Sequence, residues 1–215
     1  MPRYILHYFR GNGRAVIARA ILAYSKADWI NNKIKREDWP KIKKSNLCEF
    51  EQLPVLEVDG KKYCESQAIN LYLAEVFNLM GKNCEENYQI INLLMGFNDC
   101  IEEIWKNRYS SEEKKKYEYP QKAEKKLKFY FRLLEKKFIN FGKNEYFLGE
   151  KFTLADIVIA VAYPAAVDSL GKNEYLYKDI SPNIWKLIKR LKENELNEFY
   201  EKYYNKIICK KGKIN

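Results

Sequence analysis

Gln52-Leu53-Pro54-Val55-Leu56-Glu57-Val58-Asp59-Gly60-Lys61-Lys62-Tyr63-Cys64-Glu65-Ser66-Gln67-Ala68-Ile69 reads as a β-hairpin running into a helix. Pro54 to Val58 and Lys61 to Cys64 are strand-like runs, and Asp59-Gly60 between them supplies the positive φ angles that a two-residue turn demands. Ser66 stands where a helix N-cap belongs, and Ile69, Tyr72, Leu73 and Val76 follow at helical spacing as its buried side. Upstream, Arg3 to Phe9 suits a short strand that Gly11-Asn12-Gly13 breaks. Val16, Ile17, Ala20, Ile21 and Tyr24 then mark the apolar stripe of a helix from Arg14 to about Ser25. A second strand is expected near Trp29 to Ile34, and Asp38-Trp39-Pro40 opens an irregular or helical stretch. Up to about Leu79 the chain therefore alternates β and α, closing on an antiparallel hairpin and a helix.

After Leu79-Met80-Gly81-Lys82-Asn83 the character changes to long helical patterns with few β signals, which divides the chain into residues 1–80 and 81–215. Thr153 followed by Asp156 is a capping box, with Phe152 and Ile157 placed to staple the helix entry. Pro164 should interrupt or bend the pattern. Ser181-Pro182-Asn183 starts a further helix rich in Trp185, Leu187, Ile188 and Leu191. The tail from Lys202 to Asn215 is basic and expected to pack loosely, and no internal repeat is visible.

Among the 215 residues, 47% are hydrophobic and 32% charged, enough apolar material for a substantial core. The net charge of +10 invites nucleic acid or a membrane surface, yet the cations are interleaved with acids, as in Glu112-Glu113-Lys114-Lys115-Lys116, in the manner of a solvated helix face. Neither partner is expected. Five cysteines, at 48, 64, 84, 100 and 209, form no CxxC pair and fit a reducing compartment. The beginning of the chain lacks the layout of a signal peptide and no apolar run reaches the roughly 18 residues of a membrane span, so a cytoplasmic location is expected. His7 is the single histidine, which excludes multi-histidine metal sites and a Ser-His-Asp triad elsewhere.

Tyr8 in a strand, Gly13-Arg14-Ala15 opening a helix, Asp38-Trp39-Pro40, Gln52-Leu53-Pro54-Val55-Leu56, Glu65-Ser66-Gln67-Ala68-Ile69 and Phe152-Thr153-Leu154-Ala155-Asp156 together resemble the cytosolic glutathione transferases. The resemblance covers nearly the whole chain. Tyr8, Trp39 and Lys43 make it most similar to the sigma class, which includes the glutathione-dependent prostaglandin D synthases. It implies an α/β thioredoxin-like N-terminal domain followed by an all-α C-terminal domain, in a homodimer with active sites near the interface. The co-substrate would be reduced glutathione and the catalytic side chains Tyr8 and Arg14.

The chemistry follows from the thiol. A free cysteine thiol with a pKa near 8.5 is only about 3% ionised at pH 7, so the site must stabilise a sulfur anion. A protonated phenol such as Tyr8, the positive end of the helix near Arg14 and the Arg14 guanidinium, either strengthening the Tyr8 donor or facing the sulfur directly, would converge on that atom. Lowering the thiol pKa by roughly two units is worth about 2.7 kcal/mol and raises the thiolate some 25-fold. The accompanying loss of nucleophilicity, roughly 8-fold, leaves a net gain of about 3-fold, so positioning the electrophile must supply most of the acceleration.

By the same resemblance Leu53 would pair its backbone with the cysteinyl unit beside a cis Leu53-Pro54 bond, while Trp39 and Lys43, assisted by Gln52, would hold the glycine carboxylate. Ser66, at a helix N-terminus, would take the γ-glutamyl carboxylate, and Glu65 and Asp99, the latter from the neighbouring subunit, its ammonium group. Phe9, Trp105 and Tyr109 would line the hydrophobic pocket. Two features depart from the family: Glu51 replaces a frequent glycine, and the loop carrying Cys48-Glu49-Phe50 is about two residues longer. Around Met95 and Asn98 the acidic residues that bind an activating cation in some relatives are missing, so no metal is expected.

Taken singly, each residue has a plainer reading. There are 17 tyrosines, and one in a first strand is by itself a packing residue. Thr153 and Asp156 cap a helix, and Cys48 and Cys64 are expected as inert apolar side chains. Conjugation of glutathione to hydrophobic electrophiles is the leading function. Prostaglandin H to D isomerisation and a non-catalytic carrier or structural role are the alternatives.

Overall fold

The computed structural model describes residues 2–109 and 113–205, without the side chains of 105–109 and 113–119. The chain divides into two units: the residues up to Asn78 together with the segment from Glu193, and Leu79–Lys192.

In the first unit, β1 (Tyr4–Phe9) leads through a 3-10 turn at Gly13–Ala15 into α1 (Val16–Tyr24), then β2 (Trp29–Ile34) and the short α2 (Trp39–Lys43). β3 (Val55–Val58), β4 (Lys61–Tyr63) and α3 (Ser66–Val76) follow. The sheet order is β2-β1-β3-β4. β1 and β2 are parallel, joined by the α1 crossover, and the other two pairings are antiparallel. Asp59 and Gly60 have φ of 48° and 82°, the two left-handed residues that a twisted hairpin turn needs.

α1 departs from the amphipathic stripe that its sequence suggests. Every residue from Val16 to Ala23 is buried, Arg19 included, because the sheet lies on one side and α3 and α9 (Asn197–Phe199) pack on others. Tyr24 is only half-buried. On α3 the buried set is Ser66, Ile69, Asn70, Leu73 and Ala74; Tyr72 is half-buried, stacked on Tyr63 at 4.6 Å, and Val76 is exposed. Ser66 is also not the cap. The Glu65 carbonyl accepts from the Ile69 N–H at 2.9 Å, closing the first turn, so Glu65 holds the cap position and Ser66 is the first helical residue. Beyond α9 the chain continues through a π turn, Tyr200–Tyr204, in which Tyr200 and Tyr204 are buried, and the Tyr203 ring lies 5.0 Å from Trp29. The tail expected to pack loosely from Lys202 therefore contributes the buried Tyr204; residues 206–215, with Cys209, lie outside the described residues.

The second unit is helical. α4 (Cys84–Tyr109) and α5 (Glu113–Asn140) pack together. Ile90, Leu94, Phe97, Ile101 and Ile104 are buried on α4, as are Ala123, Leu127, Phe131, Leu134 and Phe138 on α5, both at the three-and-four spacing of a core face. Gly96 lets the helices approach: a Cβ there would lie 2.6 Å from the Tyr130 ring.

α6 (Leu154–Ile157) carries the capping box read from the sequence, with the Thr153 N–H donating to Asp156 at 2.9 Å and the Thr153 hydroxyl at 3.1 Å. The other Asp156 oxygen accepts from the Phe147 N–H at 2.8 Å, tying the preceding loop to the helix. A π turn at Val158–Ala162 runs into α7 (Tyr163–Ser169), with Pro164 in its first turn. The proline ring would strike the carbonyl one α-turn back, and the wider π turn makes room for it. α8 (Pro182–Glu193) starts where Ser181-Pro182 predicts. Its first-turn N–H groups, from Asn183 and Ile184, donate to the buried carboxylate of Glu135 on α5. Trp185 is half-buried, with Lys178 and Lys189 over its ring at 4.8 and 5.0 Å.

Candidate active site

Strand pairing gathers most of the sequence-predicted residues at one end of the sheet. The register His7↔Val55 puts the end of β1, with Tyr8 and Phe9, beside the start of β3. Leu56↔Tyr63 brings the end of β4, and Cys64-Glu65-Ser66 after it, to the same end. Phe9↔Ile34 does so for the end of β2, which leads to Trp39. In parallel and mixed sheets this end, where strands hand over to loops and helix N-termini, is where ligands bind.

Tyr8 is buried, and its hydroxyl oxygen accepts from the Arg14 backbone N–H at 3.0 Å. That N–H lies in the 3-10 turn opening α1, among the orphan donors of a helix start. A phenol that accepts a hydrogen bond is made a stronger donor of its own proton. Gly13 has φ +42°, and a Cβ on it would lie 2.4 Å from the Tyr8 oxygen, so glycine is required both for the turn and for the room it leaves. The Arg14 main chain thus donates to the Tyr8 oxygen.

Arg19 was missed, although a cation inside the apolar run Val16-Ile17-Ala18-Arg19-Ala20-Ile21 was a visible signal. It is fully buried and donates to the Phe9 carbonyl at 3.1 Å, to the Gly11 carbonyl and to Asn31 Oδ1 at 3.2 Å. Its guanidinium carbon is 5.5 Å from the centre of the Tyr8 ring. Burial pulls the guanidinium down to about 10, which still leaves it charged at neutral pH. One buried cation thus ties β1, β2 and the glycine turn around Tyr8.

Trp39 opens α2, half-buried, with its ring edge-on to Phe9 at 5.6 Å, and the Arg36 guanidinium covers Phe9 at 5.4 Å. Lys43 is exposed and paired with Glu51 at 3.5 Å. Glu51 itself has φ +50°, the left-handed region that favours glycine, at the position where the resemblance expects one. Gln52 is exposed, Leu53 half-buried and Pro54 buried, and the Leu53-Pro54 bond is cis. The β1–β3 ladder ends at Val55, so the Leu53 main chain lies beyond it. Glu65 has φ +64°, a strained value for a side-chain-bearing residue, and presents the buried Ser66 at the N-terminus of α3, where N–H groups and the helix dipole favour an anion.

Asp99 belongs to the other unit, on α4, exposed; the Tyr130 hydroxyl donates to it at 3.4 Å and Lys126 to its carbonyl at 3.0 Å. The side chains of Trp105 and Tyr109 lie outside the described residues. His7 is buried, with Glu57 at 3.4 Å and Asn32 at 2.8 Å, and burial lowers its pKa, so it stays neutral. Among the described residues no group of three or more His, Cys, Asp or Glu side chains is arranged to hold a metal ion, and no helix is long and apolar enough to cross a membrane.

Comparison with known proteins places the chain in a family. Residues 3–75 match the family model described as glutathione S-transferase, N-terminal domain, and residues 98–203 match glutathione S-transferase, C-terminal domain. The chain is 35% identical to glutathione S-transferase 1 of Ascaris suum over 186 residues, 83% of this chain and 84% of that one. It is 40% identical to probable glutathione S-transferase 5 of Caenorhabditis elegans over 103 residues, 48% of this chain and 50% of the relative, so that match spans about half the relative's length. A solved structure of prostaglandin synthase D of Nilaparvata lugens is similar with a TM-score of 0.79 at 28% identity, covering 94% of this chain and 98% of that one. The chain belongs to the glutathione S-transferase family.

Proposed function

We propose that the protein transfers the thiolate of reduced glutathione to hydrophobic electrophiles, with Tyr8 donating its hydroxyl proton as a hydrogen bond to the sulfur. The observation that carries this reading is the Arg14 N–H on the Tyr8 oxygen at 3.0 Å, at the start of α1, with a buried cation beside the ring. An oxygen so polarised favours an anion at the point it faces. The N-terminus of α3 with Ser66 takes the γ-glutamyl carboxylate, Glu65 its ammonium group, the Leu53 main chain the cysteinyl unit, and Trp39 with Lys43 and Gln52 the glycine end. Asp99 of a second copy adds a carboxylate for the same ammonium group. Arg14 also contributes its charge to the site.

The sigma class, a cytoplasmic location and a detoxifying role belong to the same proposal, as does a homodimer. The dimer is supported by an exposed apolar stripe on α4, Tyr88, Ile91 and Met95, at the spacing of one helix face. A prostaglandin H to D isomerase is the second reading, favoured by the similarity to the Nilaparvata lugens synthase; there the thiolate would open an endoperoxide, and product analysis with that substrate separates the two.

The test is Tyr8→Phe, assayed with glutathione and a chloronitrobenzene acceptor. Losing the donor should move the midpoint of the pH–rate profile up by about one to two units and lower the rate at pH 6.5 by about twofold to sixfold. An unshifted profile would refute the role given to Tyr8. Retention on immobilised glutathione with no turnover in the parent protein would favour a carrier.

A further inference from the structure

We propose that Cys48 and Cys64 are a redox-active pair, a modification site at which a low-molecular-weight disulfide such as glutathione disulfide converts two thiols into an intramolecular disulfide. Their sulfurs lie 3.0 Å apart, both thiols are reduced, and they come from segments distant in sequence. A disulfide bond is about 2.0 Å long, so the sulfurs must close by roughly 1 Å. The two segments also meet nearby, where the Lys62 ammonium on β4 donates to the Asn46 carbonyl at 2.8 Å, linking the strand before Cys64 to the segment before Cys48. Cys48 is buried and Cys64 half-exposed, so Cys64 is the sulfur an external disulfide reaches and Cys48 the one that resolves.

The exchange balances. Cys64, losing its proton to water, attacks one sulfur of glutathione disulfide; that S–S bond breaks, and one glutathione leaves as a thiolate and is protonated. Cys48, deprotonated in turn, attacks the Cys64 sulfur and expels the second glutathione. Two thiols and one glutathione disulfide become one protein disulfide and two glutathiones, with two electrons passing from protein to oxidant. Burial, and then donation to Cys48, push the Cys64 thiol up to about 11. Glu49 acts on it both ways, through its backbone N–H, which lowers the pKa, and its carboxylate, which raises it. The exchange is therefore slow at neutral pH and quickens toward pH 9.

The location gives the bond a consequence. Cys48 sits in the segment between Lys43 and Gln52-Leu53-Pro54, and Cys64 directly precedes Glu65 and Ser66. The disulfide would clamp together two of the segments assigned to the tripeptide. This clamp rests on the function proposed above; the disulfide itself does not. A loop already fixed in its bound arrangement loses less freedom when ligand arrives, so the oxidised protein should bind glutathione about threefold more tightly.

The experiment equilibrates the full-length protein at pH 8.5 with rising ratios of bis(2-hydroxyethyl) disulfide to 2-mercaptoethanol, a couple that does not depend on glutathione recognition. Samples are quenched in acid, alkylated and mapped by peptide mass. Cys48 and Cys64 should lose their alkylation together and appear as one linked peptide lighter by two hydrogens, while exposed Cys84 takes up a mixed disulfide and buried Cys100 stays alkylated. Cys64→Ser should abolish the linked peptide. Full alkylation of both cysteines under conditions that modify Cys84 would overturn the proposal, as would a stable mixed disulfide on Cys64 that never resolves. Linked cysteines with unchanged glutathione affinity in a protein that binds glutathione would overturn the clamp. A protein that forms the link yet binds no glutathione would overturn the functional reading instead.

Discussion

Gly13→Ala tests the arrangement around Tyr8 without altering the phenol. The new Cβ would sit 2.4 Å from the Tyr8 oxygen, whereas ordinary van der Waals contact begins at 3.4 Å. The two must separate by roughly 1 Å. If the ring yields, its oxygen leaves the Arg14 N–H now at 3.0 Å, and the separation passes the range of a hydrogen bond. The left-handed φ of +42° costs alanine about 1 kcal/mol and the lost bond about 1 kcal/mol more. The sum, about 2 kcal/mol, should lower the melting temperature by roughly 4–8 °C in a chain of this size. Conjugation should lose about as much as in Tyr8→Phe, roughly twofold to sixfold at pH 6.5, with the same upward move of the pH–rate profile. The double variant is decisive. In the Tyr8→Phe background the closest atom is gone, and of the three nearest contacts those to Cε1 and Cζ at 3.0 and 3.1 Å remain. Gly13→Ala should then cost little further activity, a coupling visible in a double-mutant cycle. A folded Gly13→Ala protein with a wild-type profile, or losses that simply multiply in the double variant, would refute the reasoning.

Arg19→Met leaves the Phe9 and Gly11 carbonyls and Asn31 Oδ1 without their donor and should destabilise by about 3 kcal/mol in urea unfolding; Arg19→Lys should fold better but leave the pH–rate profile raised, because a single ammonium cannot span the same three acceptors. Glu51→Gln releases Lys43 from its 3.5 Å partner and should strengthen glutathione binding about twofold to fourfold by titration, the scale of an exposed ion pair. Burial holds the Asp156 carboxyl up to about 6 against the four donors on it, the N–H groups of Phe147, Thr153 and Asp156 and the Thr153 hydroxyl. Because the folded-state value lies above the usual one near 4, its stabilisation is full below pH 4 and is lost as pH rises through 6, about 3 kcal/mol in all. Asp156→Asn should flatten that part of the stability profile in urea titrations between pH 4 and 7.

What could be read in the sequence was local. Asp59-Gly60, Thr153 with Asp156, and Ser181-Pro182 each write their conformation into a few adjacent residues, and each appears where expected. The order of β and α elements followed from the same cues. What stayed hidden depends on neighbours far along the chain. The burial of α1 on every side requires α9, and the cap of α8 is Glu135, a residue on another helix that no spacing rule connects to Asn183. Ser66 illustrates a subtler miss: its residue type invites a cap, but backbone hydrogen bonding moves that position to Glu65. At the candidate site, residue identities came from the resemblance, whereas the Lys43–Glu51 pair, the Arg19 anchor and the contact between Cys48 and Cys64 required coordinates.

The return of the segment from Glu193 to the first unit bears on how the protein is made. A ribosome releases β1, α1 and the hairpin early, yet the flank of α1 that α9 covers stays bare until translation has passed Phe199. For most of synthesis the nascent chain thus presents a greasy helix edge to the chaperones waiting at the exit tunnel. Messages truncated before the codon of Asn197 should yield polypeptides that aggregate or are degraded, even though every residue of the sheet is already present.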